Sequence, residues 1–497
     1  MEKRHQSIWT ETQGPGPTYP ALKGSRHCDV AVVGAGITGL TTAYELTKAG
    51  VSVIVLEADM LGGGTTGRTS GHLSSLWDRG YSNMLSKHGI DKATTIYRAL
   101  QGAIDYIESV QSQLAMSCDF VRCPGYLYAE PEQEADGVTR EYEACQQIGI
   151  PVTYITEMPL PYPIARGMRI PDQAQFHILD YLHGLARAIC DGGGAILEHS
   201  RVTGIEGSNP ITVQTAAGDV SARYLVLATH TPLGIDPVQA EMTPVRSYVA
   251  AVRTETSVPP GLFWDVAEPY HYIRPFRHDD RHVVIIGGSD RRTGHGEETS
   301  ALASLQDYIQ KRFSGVHIEQ AWSAQLYEPA DGLPFIGNSL LSKSTYFATG
   351  FSGDGLTFGT HAGRAIAAMI AGTAPPEDAI FSPSRLPGKG ITELVTHNVE
   401  VAKNLILGRL TGGTADDLKT NEGRIVEFEG QQAAIFKDAS GKLHIFSAVC
   451  PHMKCIVSWN NDQQTFDCTC HGSRFSTQGT VIEGPTLSGL ETLPHPK

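Results

Sequence analysis

Cys450-Pro-His452-Met-Lys-Cys455 and Cys468-Thr-Cys470-His471-Gly-Ser473-Arg-Phe475 place four cysteines and two histidines in two short segments near the end of the chain. In a thiol-reducing compartment, cysteines crowded this closely serve metal ligation before they serve a disulfide scaffold. The other five, Cys28, Cys118, Cys123, Cys145 and Cys190, are widely spread and read as ordinary buried thiols. The ligand spacing is Cys-x-His, a gap of fifteen residues, then Cys-x-x-His. Two thiolates and two imidazoles could hold zinc in paired loops, or an iron–sulfur cluster with sulfur on one iron and nitrogen on the other. The two additional cysteines, and a CHGSRF run followed by GTVIEGP, favour the cluster.

The rest of the chain must form more than this small module. At 497 residues two or three domains are expected. Hydrophobic content of 41% and charged content of 19% are those of a water-soluble globular chain. No apolar run has the length of a membrane span, and the start MEKRHQSIWTETQGPG lacks a signal-peptide core, so a cytoplasmic protein is expected. A net charge of −14 without a basic patch excludes nucleic acid as a partner. Residues 1–27 read as an extended arm, and helix-like and strand-like segments then alternate over 28–372. A Pro/Gly-rich linker, 373–418, carries apolar residues at helical spacing: Ile391, Leu394, Val395, Val399, Ala402, Leu405, Ile406 and Leu410. Glu393 and Glu400 on its polar face argue against a lipid surface and for a helix packed between domains. Short strand-like runs such as GRIVEFEG and LHIFSAV then give a small all-β domain over 419–497.

The paired ligand loops resemble the Rieske family over about residues 420–497. That resemblance implies a [2Fe–2S] cluster with Cys450 and Cys468 on one iron and His452 and His471 on the other. It also implies a disulfide between Cys455 and Cys470. Lys454 stands where many members have glycine, and Phe475 where high-potential members carry a tyrosine donor. Ser473 can still donate to a sulfide. With one donor fewer, a potential in the lower part of the Rieske range is expected.

Near the other end, Gly34-Ala-Gly36-Ile-Thr-Gly39 follows the apolar strand Val30–Val33 and opens a helix, the context of a dinucleotide site. Glu57 ends the next strand, where a carboxylate can accept ribose hydroxyls. NAD and FAD both fit this pattern. Gly62-Gly63-Gly64-Thr-Thr-Gly67-Arg68-Thr69-Ser70, then Tyr224–Thr229-His230, then Gly350-Phe-Ser-Gly353-Asp354-Gly355-Leu356 resemble, in order, the FAD-contacting segments of the D-amino-acid-oxidase-like flavoenzymes. The resemblance spans about residues 28–372. It implies an α/β (α+β) Rossmann-like FAD domain (28–110, 166–245 and 325–372) with an inserted antiparallel-sheet substrate domain (111–165 and 246–324). Arg68 occupies the position through which some relatives attach FAD covalently by histidine, so FAD held without a covalent bond is expected. A second strand–GxGxxG–helix unit is missing; Ile285-Ile-Gly-Gly288 is the nearest candidate.

A flavin accepts a hydride and can release electrons singly, and one [2Fe–2S] cluster carries one at a time. The resembling flavoenzymes oxidise C–N bonds. The expected activity is therefore oxidation of an amino acid or N-alkyl amine, with electrons leaving through FAD and cluster to an external acceptor, a carrier protein or quinone. Transfer to oxygen, a Rieske oxygenase and a redox sensor are the alternatives. An oxygenase needs two histidines and a carboxylate on one iron; His278-Asp-Asp280-Arg-His282 has the types but reads as a solvated hairpin turn. By the family resemblance Tyr272 and Arg274 face the substrate side of the flavin, with Arg274 available to a substrate carboxylate and Tyr272 and Tyr248 as pocket walls.

Overall fold

Runs such as Val30–Val33 and Val53–Leu56 are apolar at every position, which suits a parallel strand covered on both faces. The computed structural model, which describes residues 6–14, 16–278, 281–295, 300–385 and 418–494, places them at the centre of a mixed sheet. Its strand order is Phe335–Ser339, Ser342–Thr349, Gly218–Leu227, Arg26–Val33, Val53–Leu56, Ala195–Leu197. All neighbours in this row are parallel except the first pair, and Val202–Gly207 and Ile211–Thr215 add an antiparallel flap. Val30, Val32, Val53 and Val55 enter one core, while Ala31, Val33, Ile54 and Leu56 enter another. Helices Ile37–Lys48 and Gly355–Ala371 cover the first face together.

A second, nine-stranded sheet stands beside it, antiparallel apart from the pairing of Leu262–Asp265 with Val121–Ala129. Strand Met242–Arg253 lies between Arg281–Arg292 and His317–Pro329. The partition differs from the expected segments, because Arg166–Gln175 pairs with Val121–Ala129 in this second sheet. One chain segment thus serves both sheets. The arm also differs from a simple extended strap: Ile8–Thr12 is a short helix whose Ile8 and Trp9 are fully buried. The helix expected over 391–410 lies outside the described residues.

Residues 422–483 form two small antiparallel sheets, of three and four strands, around a core that includes Phe436, Phe446, Phe466 and Phe475. The ligand loops 450–455 and 468–473 leave this module side by side, tied by a disulfide between Cys455 and Cys470. Among the described residues no helix is long and apolar enough to cross a membrane.

Candidate active site and metal centre

A cavity of about 810 Å³ runs between the two large sheets and under the C-terminal module. At one end Gly34 turns with φ +105, and a Cβ there would sit 2.5 Å from the Ala228 carbonyl. A Cβ on Gly39 would lie 1.9 Å from the Gly34 carbonyl, so the helix starts against the strand only because that position is bare. Gly36 caps helix Ile37–Lys48 with no side chain, leaving the helix end open to an anion. Glu57 receives the backbone N–H groups of Ala35 at 2.8 Å and Asp59 at 3.0 Å, while burial pushes its carboxyl up. Volume, bare glycines and open helix end fit a dinucleotide.

Of the expected cofactor contacts, Gly34, Gly36, Glu57, Arg68, Thr69, Ser70, Thr229, Gly353, Asp354, Gly355 and Leu356 line this one cavity. Gly39 and Gly350 do not, and serve packing instead; a Cβ on Gly350 would meet Pro329 at 2.6 Å. Tyr272 lines the cavity, whereas Tyr248 and Arg274 do not. Strand period explains Tyr248: Ser247 points into the cavity, so its neighbour points to the opposite core with Ala250 and Val252. Arg274 shares the face of Tyr272 but donates to the Gly71 carbonyl at 2.6 Å and lies under the Trp9 ring, 5.1 Å from its centroid. The arm helix that supplies Trp9 is what closes Arg274 off from a substrate carboxylate.

Around Tyr272 the cavity wall carries His72, which the family resemblance places near the FAD-attachment loop, and Trp264, Tyr270, Ser247, Asp78 and Asp290, which sequence alone did not single out. His72 packs tilted against Trp264 and edge to face with Tyr272, with ring centroids 5.4 and 5.6 Å away. Burial and the Arg274 charge push its imidazole down to about 3, so it is neutral. The available signal was Gly287-Gly288. A Cβ on Gly287 would sit inside the Tyr272 ring, and one on Gly288 would meet the Tyr270 carbonyl at 2.4 Å. The pair is bare to admit the Tyr272 ring and the Tyr270–His271 backbone, not a nucleotide.

The metal centre is built from loops whose backbone points inward. The N–H groups of His452 and Met453, with the Ser473 hydroxyl, face the Cys450 sulfur; those of Cys470 and His471 face Cys468. The imidazoles of His452 and His471 lie edge to face, centroids 5.0 Å apart. His452 Nε2 is engaged by the Gly234 carbonyl at 3.0 Å and Gln239 Oε1 at 3.1 Å. Its buried Nδ1 has no hydrogen-bond partner and is free to bind metal. Among the described residues no three His, Cys, Asp or Glu side chains converge on one ion. Cys450 and Cys468 would hold one iron and His452 and His471 the other, two side chains each, which requires no such convergence.

The two sites share a wall. Val481, Ile482, Glu483, Gly484, Thr486 and Leu487 of the C-terminal module line the large cavity. From the other side, the Tyr327 hydroxyl donates to the His471 carbonyl at 3.1 Å and Gln325 Nε2 to the Gly472 carbonyl at 2.9 Å. Tyr327 also lines the cavity and packs against His230, centroids 4.7 Å apart.

The sequence model of the FAD-dependent oxidoreductases known as DAO matches residues 29–369. The chain belongs to that family. A Rieske [2Fe-2S] domain matches residues 410–494, so the cofactors are FAD and a [2Fe–2S] cluster. The chain is 32% identical over 496 residues to the Rieske 2Fe-2S iron-sulfur protein YhfW of Bacillus subtilis (strain 168), covering 98% of this chain and 97% of that one. It is 26% identical over 411 residues to the gamma-glutamylputrescine oxidoreductase of Escherichia coli (strain K12), covering 78% and 94% respectively. Among solved structures, glycine oxidase from Geobacillus kaustophilus superposes with a TM-score of 0.62 at 22% identity, covering 73% of this chain and all of that one, which shows a common fold. The protein is an FAD-dependent oxidoreductase with a Rieske domain.

Proposed function

We propose that the protein is a dehydrogenase that oxidises a C–N bond of an amino acid or N-alkyl amine and sends the electrons through FAD and the Rieske cluster to an external acceptor. One observation carries this reading: Tyr327, a wall of the FAD-sized cavity, holds the backbone of the cluster ligand His471 at 3.1 Å. A chain that used oxygen alone would have no need of that shared wall.

When bound, the flavin supplies a hydride acceptor that can return electrons singly. Gly34, Gly36 and Glu57 would hold its nucleotide, while Arg68, Thr69, Ser70, Thr229 and residues Gly353–Leu356 would line the path to its ring. Helix Gly355–Ala371 directs its amino end toward this wall, where negative charge is stabilised. Trp264, Tyr272 and neutral His72 form an apolar, uncharged flank that excludes water from the reacting carbon. Cys450, Cys468, His452 and His471 would ligate the cluster. Support for an amine comes from the relatives: a gamma-glutamylputrescine oxidoreductase at 26% identity, and a glycine oxidase at 25% identity over 373 residues. A carrier protein or quinone is the proposed acceptor.

Anaerobic mixing with a panel of primary amines, N-methyl amines and amino acids tests this directly. At least one member should bleach the flavin and release a carbonyl product. If none does, while chemical reduction of the flavin proceeds normally, the reading is wrong.

A further inference from the structure

We infer that Asp290 is the seat of the substrate's ammonium group and takes its proton, and that the substrate class is a cationic amine with no carboxylate on the reacting carbon. This deepens the reading of the same cavity as an amine-oxidising site and rests on it.

Asp290 lies on strand Arg281–Arg292, just past the glycine pair that admits the Tyr272 ring and the Tyr270–His271 backbone. It lines the cavity, and its Oδ1 is shielded from solvent without a hydrogen-bond partner. Ser247, from strand Met242–Arg253, and Tyr270 line the cavity beside the same carboxyl group. Tyr272, from the neighbouring strand, closes this corner through its contact with Ser247 at 3.1 Å. The charged groups that face Asp290 are Asp78, from the loop before helix Tyr81–His88, and Glu328, near the end of strand His317–Pro329. Both are negative. Tyr270 also lies beside Asp78, so one phenol neighbours both carboxyl groups.

A carboxylate with an open oxygen, beside other carboxylates and under aromatic rings, is satisfied by one type of ligand. A cation relieves the repulsion and meets the aromatic wall of Trp264, Tyr270 and Tyr272. A carboxylate bonded to the same carbon would meet Asp290 and Asp78 instead. Arginine does not offset this. Arg79 is ion-paired with Glu328 at 3.1 Å, Arg68 faces Glu483, Arg201 lies by Glu57, and Arg140 is exposed on helix Ala135–Gln147. Arg274 is sealed under Trp9.

The proton step is simple to balance. One N–H bond of the ammonium breaks, its electron pair stays on nitrogen, and an O–H bond forms on Asp290, which becomes neutral. The neutral amine can then lose its α-hydrogen with two electrons to the flavin, leaving an iminium ion for water to hydrolyse. Burial, reinforced by Asp78 and Glu328, pushes the Asp290 carboxyl up to about 7, so a proton acceptor is present above neutrality and absent below it.

Two inert probes read the seat without turnover on the holoenzyme. tert-Butylamine has no α-hydrogen, and 2-aminoisobutyrate is the same skeleton with one methyl replaced by a carboxylate. Calorimetry should show tert-butylamine binding at least about tenfold more tightly. Its affinity should fall as pH drops below about 7. Asp290→Asn should lose about tenfold in tert-butylamine affinity together with that pH dependence, with flavin and cluster spectra unchanged. Asp290→Glu, which keeps the charge, should retain the pH dependence. Equal or tighter binding of 2-aminoisobutyrate, no binding of either probe, or a wild-type profile in Asp290→Asn would overturn the proposal. Because neither probe can be oxidised, these outcomes are independent of whether an amine is a substrate.

Discussion

Lys454 shows how a single backbone angle explains a departure from a family pattern. Its φ is +63, in the left-handed region, where a side chain costs about 1 kcal/mol relative to glycine. Its N–H still bonds the Cys450 carbonyl at 3.1 Å, so the loop keeps its shape despite the strain. Lys454→Gly should therefore raise the unfolding free energy by about 1 kcal/mol without altering the cluster spectrum; an unchanged or lower denaturant midpoint would contradict this. Phe475 is fully buried against Phe466 and carries no hydroxyl toward the cluster sulfurs. Phe475→Tyr should move the cluster potential upward by tens of millivolts, since one more donor stabilises the reduced state. A protein-film titration with no upward shift would show that this position does not tune the cluster.

At the scale of elements, the short helix Ile8–Thr12 acts as a brace for the FAD loop. Ser7 donates to the Gly67 carbonyl at 2.5 Å and Trp9 Nε1 to the Thr69 carbonyl at 2.7 Å. Trp9→Ala removes a fully buried ring and should cost about 3–5 kcal/mol and weaken FAD retention; normal FAD content after gel filtration would argue against a brace. This helix was not readable in a segment with three prolines and little periodicity, because what orders it is contact with distant residues. By contrast the strand–Gly34-Ala-Gly36–helix unit was readable, since its glycines, apolar run and Glu57 are local. Tyr248, Tyr272 and Arg274 all sit on strands of the second sheet, yet only Tyr272 reaches the cavity. Strand parity and the covering Trp9 decide that, and neither is written in the local sequence. The same holds for Asp290, whose role depends on Tyr270, Ser247 and Asp78 arriving from three other segments.

Over the whole molecule, Glu483 joins the two cofactor modules electrostatically. Its carboxylate meets Arg474 of its own module at 3.0 Å and Arg246 of the second large sheet at 3.6 Å. Burial alone would raise this carboxyl, but Arg474, Arg246 and Arg68 outweigh burial and hold it at about 2. A depressed carboxyl contributes stability that is complete above its ordinary value of 4.5 and is lost as pH falls toward 2. The shift corresponds to about 3 kcal/mol. Glu483→Gln should lower the melting temperature at neutral pH and flatten its decline in acid; an acid limb as steep as wild type would place the titrating group elsewhere. The resemblance that implies Cys450, His452, Cys468 and His471 as ligands rests on residues close together in the chain, whereas the docking that sets Tyr327 against His471 joins distant segments and was not readable. Freeze-quench EPR after anaerobic mixing with an amine that bleaches the flavin tests the central claim most directly. The account predicts that the reduced-cluster signal appears after flavin bleaching, within the turnover time and in a single isolated chain. A bleached flavin beside a cluster that stays oxidised would contradict it.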